Sequence, residues 1–100
     1  MGKILRFLQS WYEDQCDGNW EHQHGVKIET LDNPGWAVVI DLAGTDPSKL
    51  GWREISEDRS PSDWIRCYIT DDSFKGFGGP KNLEEILQVF VKLAEEVAGP

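Results

Sequence analysis

Residues 26–42, VKIETLDNPGWAVVIDL, carry the strongest structural signal in this chain. Residues 26–31 alternate apolar and polar side chains, which is the pattern of a half-buried β-strand. Residues 32–35 read Asp-Asn-Pro-Gly, a dense turn signal, and residues 36–42 are apolar at nearly every position. The stretch therefore predicts a β-hairpin whose second strand is covered on both faces or flanked on both edges.

Two further segments have strand character, and one has the composition of a loop. Residues 63–70, DWIRCYIT, are rich in β-branched and aromatic side chains and predict a good strand. Residues 49–57 are more polar and predict a weaker strand at a sheet edge, where charge discourages pairing between molecules. Residues 75–80, KGFGGP, predict a flexible or tightly turned loop.

The residues before the hairpin predict an N-terminal helix. Apolar side chains recur every three or four positions from Ile4 to Cys16, which is the spacing of an amphipathic helix. Asp17-Gly18-Asn19 predicts its end, because glycine adopts the left-handed conformation that terminates helices. Residues 20–25 are then expected to form a loop that leads into the hairpin.

The last part of the chain predicts a second helix. Asn82 and Glu85 resemble a capping box, in which each side chain bonds to the backbone of the other residue. Residues 83–97 carry an apolar stripe at helical spacing, and Gly99-Pro100 predicts the end of the helix. Both predicted helices are apolar on one side, so each requires a surface to pack against.

These elements predict an α+β fold. Short turns between the strands imply antiparallel pairing in a sheet of three to four strands. The economical arrangement packs the N-terminal and C-terminal helices on one face of that sheet and leaves the other face partly open as a binding surface. A length of 100 residues suits one hydrophobic core, so a single domain over residues 1–100 is expected.

Charge and cysteine usage narrow the partners and the location. Eighteen acidic against ten basic side chains give a formal net charge of -8, which repels phosphate backbones and anionic lipids. Neither nucleic acid nor a membrane is therefore an expected partner. The first residues contain no apolar run of signal-peptide length, and two cysteines favour free thiols, so a cytoplasmic location is expected.

The residues that invite a catalytic or metal reading lack the required pattern. Cys16, Glu21, His22 and His24 lie close in sequence, but structural zinc sites repeat a C-x-x-C or an H-x₃₋₅-H pair. Acidic neighbours of Cys16 oppose thiolate formation. We therefore expect no cofactor and no enzymatic activity. The alternative is a small-ligand or metal-binding domain, or an enzyme, that uses Cys16, Glu21, His22 and Trp36.

The tryptophan content is high for a chain of this length. The five tryptophans are Trp11, Trp20, Trp36, Trp52 and Trp64. Roughly three of them are expected in the core or at its edge, because a core of this size cannot easily bury all five rings. The others are expected at the surface, where tryptophan is a frequent interface anchor.

The first half of the chain resembles a family of bacterial immunity proteins. The segments that carry the resemblance are LQSWY at 8–12, QCDGNWEH at 15–22, Gly25-Val26 and TLDNPGW at 30–36. Trp20-Glu21-His22 and Pro34-Gly35-Trp36 are the most specific of these. They are similar to the signature of the immunity protein 53 family of polymorphic toxin systems, and the resemblance runs from about residue 8 to residue 42.

The resemblance implies a small cytosolic protein that binds and neutralises a cognate toxin. The acidic charge favours a toxin with a basic surface, such as the substrate groove of a nuclease, and aromatic anchors slow dissociation. Trp20, Glu21 and Trp36 are expected to lie together, because the loop and the hairpin both adjoin the first strand. The expected partner-binding residues are Trp20, Glu21, His22, Trp36, Asp17, Asp32 and Asp41. The oligomeric state is left open.

A structural interpretation of the same motifs stands beside the functional one. Trp20 then packs over the sheet, while Glu21 accepts hydrogen bonds from backbone donors. Pro34-Gly35 is then a tight turn, in which proline fixes φ and glycine allows a positive φ. The position of each residue in the fold distinguishes the two interpretations.

Overall fold

The computed structural model describes residues 2–98, so Gly99-Pro100, which was expected to end the second helix, lies outside the described residues. The strands are β1 (Val26–Leu31), β2 (Gly35–Asp41), β3 (Arg53–Ser60), β4 (Asp63–Thr70) and β5 (Ser73–Gly78). The helices are α1 (Gly2–Gln15), the short α2 (Trp20–Gln23) and α3 (Leu83–Ala98). A 3₁₀ helix, Asp46–Leu50, lies between β2 and β3.

All neighbouring strands of the sheet pair antiparallel, in the order β1-β2-β5-β4-β3. After the β1-β2 hairpin the chain passes through the 3₁₀ helix to the far edge of the sheet and returns through β3, β4 and β5. The last strand, β5, thus fills the position between β2 and β4. The predicted hairpin and the predicted strand at 63–70 are confirmed. The polar edge strand is present as β3, but it begins at Arg53 rather than at residue 49, because residues 46–50 form the 3₁₀ helix.

The sheet has five strands, whereas the sequence predicts three to four. The additional strand is β5, which includes residues expected to form a glycine-rich loop. A β-carbon on Gly76 would overlap the side chain of Ile86 in α3, and one on Gly78 would lie 3.0 Å from Ile86 Cδ1. The prediction was wrong because glycine is needed here for the close approach of a helix, and glycine removes the side-chain pattern by which a strand is recognised.

Helices α1 and α3 pack on the same face of the sheet. Trp11 of α1 meets Phe90 of α3 edge to face, with ring centroids 5.0 Å apart, and Phe90 meets Phe74 of β5 at 5.4 Å. Val38 and Ile40 of β2 complete this buried contact between both helices and the sheet. No helix within residues 2–98 has the length and apolar character needed to cross a membrane.

The sequence signals predict the positions of the helix ends and turns correctly, but two of these sites are stabilised by other contacts than the expected ones. Gly18 has a φ of 88°, as expected for a glycine beyond a helix end. Asn82 precedes α3, but its side-chain Nδ2 donates to Glu85 Oε1 at 3.0 Å and its backbone N–H donates to Gly79, so no capping box forms. Gly35 lies outside the positive-φ region, and its β-carbon would instead overlap the Gly78 carbonyl oxygen.

Candidate functional site

The segment between α1 and β1 is closed by carboxylates that accept hydrogen bonds from backbone amides. Asp17 Oδ1 accepts from the N–H groups of Asn19 and Trp20, each at 2.9 Å. The Glu21 carboxylate accepts from the N–H of Asp17 at 3.0 Å and of Gly18 at 2.8 Å. Both acids thus hold their own loop, and for Glu21 this is the hydrogen bonding that the structural interpretation predicts.

The same hydrogen bonds favour the charged carboxylates. The backbone N–H of Trp20, followed by that of Asn19, lowers the pKa of Asp17. For Glu21, its own backbone N–H lowers the pKa most, and the N–H groups of Asp17 and Gly18 add to it. Protonation of either side chain therefore weakens the loop.

Trp20 is a packing residue that joins three parts of the chain. Its ring lies edge-on to Trp11, with centroids 6.1 Å apart, and it also contacts the rings of Tyr12 and His24, at 6.2 and 5.5 Å. Its indole Nε1 donates to the carbonyl oxygen of Ala43 at 2.9 Å. His22 is exposed on the outer side of α2. The ring of Trp20 is half-buried, so α2 is held against α1 and the end of β2 rather than presented as a free loop.

The expected cluster of partner-binding residues divides between opposite ends of β2. Asp41 accepts from the backbone N–H of Gly25 at 2.9 Å, which places Asp41 beside the loop before β1. Trp36 pairs with Thr30 at the other end of β1, and its Nε1 donates to the carbonyl oxygen of Pro80 at 3.0 Å. Residues 36 and 41 are separated by five strand positions, about 17 Å. The expectation that Trp20, Glu21 and Trp36 lie together was wrong.

The physical reason is the pairing rule of an antiparallel hairpin. The residue before the first strand lies next to the end of the second strand, not next to its start. Asp17, Glu21 and Asp41 therefore lie at one end of the hairpin. Asp32, exposed in the hairpin turn, and Trp36 lie at the other.

The residues considered for a metal or small-ligand site are likewise dispersed. The Cys16 thiol donates to the carbonyl oxygen of Tyr12 at 3.3 Å, while Trp36 lies at the far end of the hairpin. Across residues 2–98, no group of three or more His, Cys, Asp or Glu side chains is arranged to hold a metal ion. Cys16 and Cys67 are both free thiols, as expected, and Cys67 is buried in the core.

The face of the sheet opposite the helices carries a row of aromatic side chains. Strand alternation turns Tyr68 and Phe77 to this open face, because their neighbours Cys67 and Gly76 face the core. The ring of Trp52 lies 6.0 Å from that of Tyr68 at an interplanar angle of 32°. The ring of Tyr68 lies 6.3 Å from that of Phe77 at 31°. We call Trp52, Tyr68 and Phe77 the aromatic row.

A groove of about 600 Å³ extends from the aromatic row across the open face. Its apolar walls are Leu31, Trp64, Tyr68 and Phe77. Its polar lining includes Ser56, Asp58 and Arg66. Trp52 is the most exposed large hydrophobic residue that the structure describes, at 65% exposure.

Charged side chains of both signs surround the aromatic row. Arg66 pairs in register with Phe77, and Lys75 pairs with Tyr68, so both cations lie within the open face. The acids lie at its border: Glu54 and Asp58 on edge strand β3, and Asp71 and Asp72 in the β4-β5 turn. Within residues 2–98, none of these six side chains forms an ion pair. The open face thus carries charges without partners of opposite sign.

The sequence did not identify this surface. Trp52 lies in a segment predicted as a weak strand, and Phe77 lies in a segment predicted as a loop. Tyr68 lies in a segment predicted as a good strand, but the sequence does not say which face of the sheet it is on. An open sheet face was expected as a binding surface, but its residues depend on the strand register. Because side chains alternate along a strand, a buried Cys67 implies that Tyr68 lies on the open face. The position of Phe77 could not be inferred in the same way, because it depends on β5, which was not predicted.

The fold defines a class: a small α+β domain with two long helices on one face of a five-stranded antiparallel sheet and an exposed aromatic surface on the other. The sequence model of one family, immunity protein 53, matches residues 5–95. The chain belongs to the immunity protein 53 family, which confirms the resemblance and extends it from the first half to nearly the whole chain. No curated protein and no solved structure matches the chain.

Proposed function

We propose that this chain is an immunity protein that binds a cognate bacterial toxin by direct protein–protein contact and neutralises it. The observation that carries the proposal is the family match over residues 5–95. It supports a role for the domain as a whole, since the matched residues include most of both long helices and all five strands. On this proposal the chain acts by covering a surface of the toxin, which requires no catalytic group or cofactor of its own.

The charge of the chain supports a toxin with a basic surface. A net charge of -8 accelerates the approach of a positively charged protein, and the acceleration falls as salt screens the field. The proposal includes a cytoplasmic location in the producing cell, where the chain meets a toxin before that toxin acts. Phosphate backbones and anionic membranes are disfavoured by the same charge.

Co-expression tests the proposal. The toxin is the product of a toxin-domain gene next to the gene of this chain, placed under a separate inducible promoter. Cells that carry the toxin with this chain should grow, while cells that carry it with an empty vector or with an unrelated immunity protein should not. The proposal is contradicted if the toxin stops growth equally in the presence of the folded, soluble chain. A stable complex of the purified pair should accompany rescue.

A further inference from the structure

We infer that the toxin is bound by the open face of the sheet, with the aromatic row at the centre and the Asp71-Asp72 turn pairing with arginine or lysine side chains of the toxin. The inference rests on the proposed function and adds to it the surface and the chemistry of the partner. The residues expected from sequence alone, Trp20 and Glu21, then hold the fold rather than contact the toxin.

The aromatic row has the properties of an interface centre. Trp52 is 65% exposed, so a partner that covers it removes a large apolar area from water. The ring of Trp52 lies 6.0 Å from that of Tyr68, which lies 6.3 Å from that of Phe77, so each ring has an aromatic neighbour before binding. An aromatic anchor that is already ordered loses little side-chain entropy on association. Tryptophan and tyrosine are also the residues most enriched among energetic hot spots.

The size of the open face suits a protein rather than a small molecule. Five strands about 4.8 Å apart and roughly six residues long form a face of about 20 by 20 Å, or roughly 400 Å² before side chains add relief. A standard interface buries about 800 Å² on each partner. The open face is therefore large enough to form the core of such an interface, with the surrounding turns as its rim.

The other exposed apolar side chains form a weaker surface. They are Leu5 and Tyr12 of α1, Ile28 of β1 and Ile55 of β3, which are 41%, 39%, 40% and 37% exposed. The groove between α1 and β1 is about 380 Å³, smaller than the groove on the open face, and Tyr12 is its aromatic residue. This helix-side surface supplies matched control positions for the test.

The positions of charged side chains on and around the open face define how the toxin would be oriented. The Asp71-Asp72 turn and Trp52 line a shared recess of about 260 Å³ next to the aromatic row. An arginine or lysine side chain in that recess contacts an aromatic ring and two carboxylates, which combines a cation–π contact with ion pairing. Arg66 and Lys75, inside the face, in turn suit acidic groups of the toxin. The complementary toxin surface is thus basic opposite Trp52 and carries acidic groups nearer its middle.

Titration of purified toxin with a set of variants tests the surface. Trp52→Ala should weaken binding about 30-fold or more, as loss of a hot-spot residue does. Ile28→Ala, on the helix side, should change affinity less than about 2-fold. Asp71→Asn/Asp72→Asn removes two charges while asparagine still tolerates the turn, and should slow association and reduce its salt dependence. Glu13→Gln/Asp14→Asn, with the same change of charge on α1, should not.

The outcomes distinguish a failure of the assigned binding surface from a failure of the proposed function. If the wild-type chain binds the toxin and the open-face variants bind equally well, the assignment of the surface is wrong and the proposed function stands. If the wild-type chain does not bind, both fail together. If light scattering shows that the wild-type chain dimerises and that Trp52→Ala abolishes the dimer without weakening toxin binding, the face belongs to a second copy of this chain and the inference is overturned.

Discussion

Gly76 lies directly beneath Ile86, so closely that a β-carbon on Gly76 would overlap the isoleucine side chain. We predict that Gly76→Ala lowers the free energy of unfolding by about 1–3 kcal/mol, because α3 or the strand must shift to admit the methyl group. Chemical denaturation measures the change. Gly25→Ala is the control, since nothing lies within 4 Å of a β-carbon at Gly25.

A second substitution, at Ile86, should relieve the clash that Gly76→Ala introduces. Ile86→Ala costs stability alone, but the double variant Gly76→Ala/Ile86→Ala should lose less than the sum of the two single changes. If the two losses of stability simply add, Gly76 and Ile86 do not compete for the same space. The close approach of α3 would then not explain why β5 has glycine at this position.

The turn between β4 and β5 has a backbone that its residues do not favour. Asp71 and Asp72 have φ values of 51° and 59°, and they connect paired Thr70 and Ser73, so the turn has the geometry in which Asn-Gly is preferred. We predict that Asp71→Asn/Asp72→Gly raises the free energy of unfolding by about 1 kcal/mol. Thermal and chemical denaturation test this, and an unchanged or lower stability contradicts it. The same variant should bind the toxin more weakly.

Acid should weaken the contact between the β3-β4 hairpin and α3. Arg59, and after it Asn82, lowers the pKa of Asp63 below its ordinary value of 3.8. A carboxyl group whose folded pKa is lowered stabilises the fold above its unfolded pKa, and this contribution is lost as pH falls through the folded value. We predict that Asp63→Asn is less stable than the wild type at pH 7 and that the difference shrinks as pH falls below 3.8.

Asp32→Asn serves as the control for that pH series. Asp32 is exposed in the turn of the first hairpin, on another part of the chain from Asp63. Its replacement should change the free energy of unfolding at pH 7 by less than about 0.5 kcal/mol, as a substitution at an exposed position usually does. A stability difference for Asp63→Asn that persists unchanged into acid would show that the ion pair with Arg59 is not its source.

The two thiols should react at different rates. Burial is the main cause that raises the pKa of Cys67 to about 12, so its thiol is both protonated and shielded at neutral pH. Cys16 is half-buried after the end of α1. A thiol reagent should therefore modify Cys16 in the native protein and Cys67 after unfolding. Equal native rates would contradict the burial of Cys67, and Cys16→Ser identifies which thiol reacts.

Local patterns were enough to predict most of the elements. The hairpin at residues 26–42 carries alternation, a turn and an apolar strand in one stretch, so neighbouring residues suffice to define it. Both terminal helices show single apolar stripes because each packs with one side, α3 on the sheet and α1 against α3. The strand Ser73–Gly78 was missed because its glycines serve a helix that lies elsewhere in the sequence.

The candidate site was less predictable because it depends on pairing. The motif residues Trp20, Glu21 and Trp36 are close to the same strand in sequence, yet the antiparallel register places them at its two ends. Trp52 and Phe77 are far apart in sequence and meet through Tyr68 only when β3, β4 and β5 are side by side. A surface that is assembled from three strands can be predicted only when the order of those strands in the sheet is known.

The indole N–H signals of the tryptophans show directly whether the toxin binds the open face of the sheet. In the ¹⁵N-labelled protein each ring gives its own reporter, and the rings lie in different places: Trp11 in the core, Trp20 against α1, and Trp52 and Trp64 on the open face. On addition of the unlabelled toxin, we predict that the signals of Trp52 and Trp64 shift or broaden while those of Trp11 and Trp20 stay in place. Shifts of Trp20 and Trp11 with Trp52 and Trp64 unchanged would contradict binding through the open face.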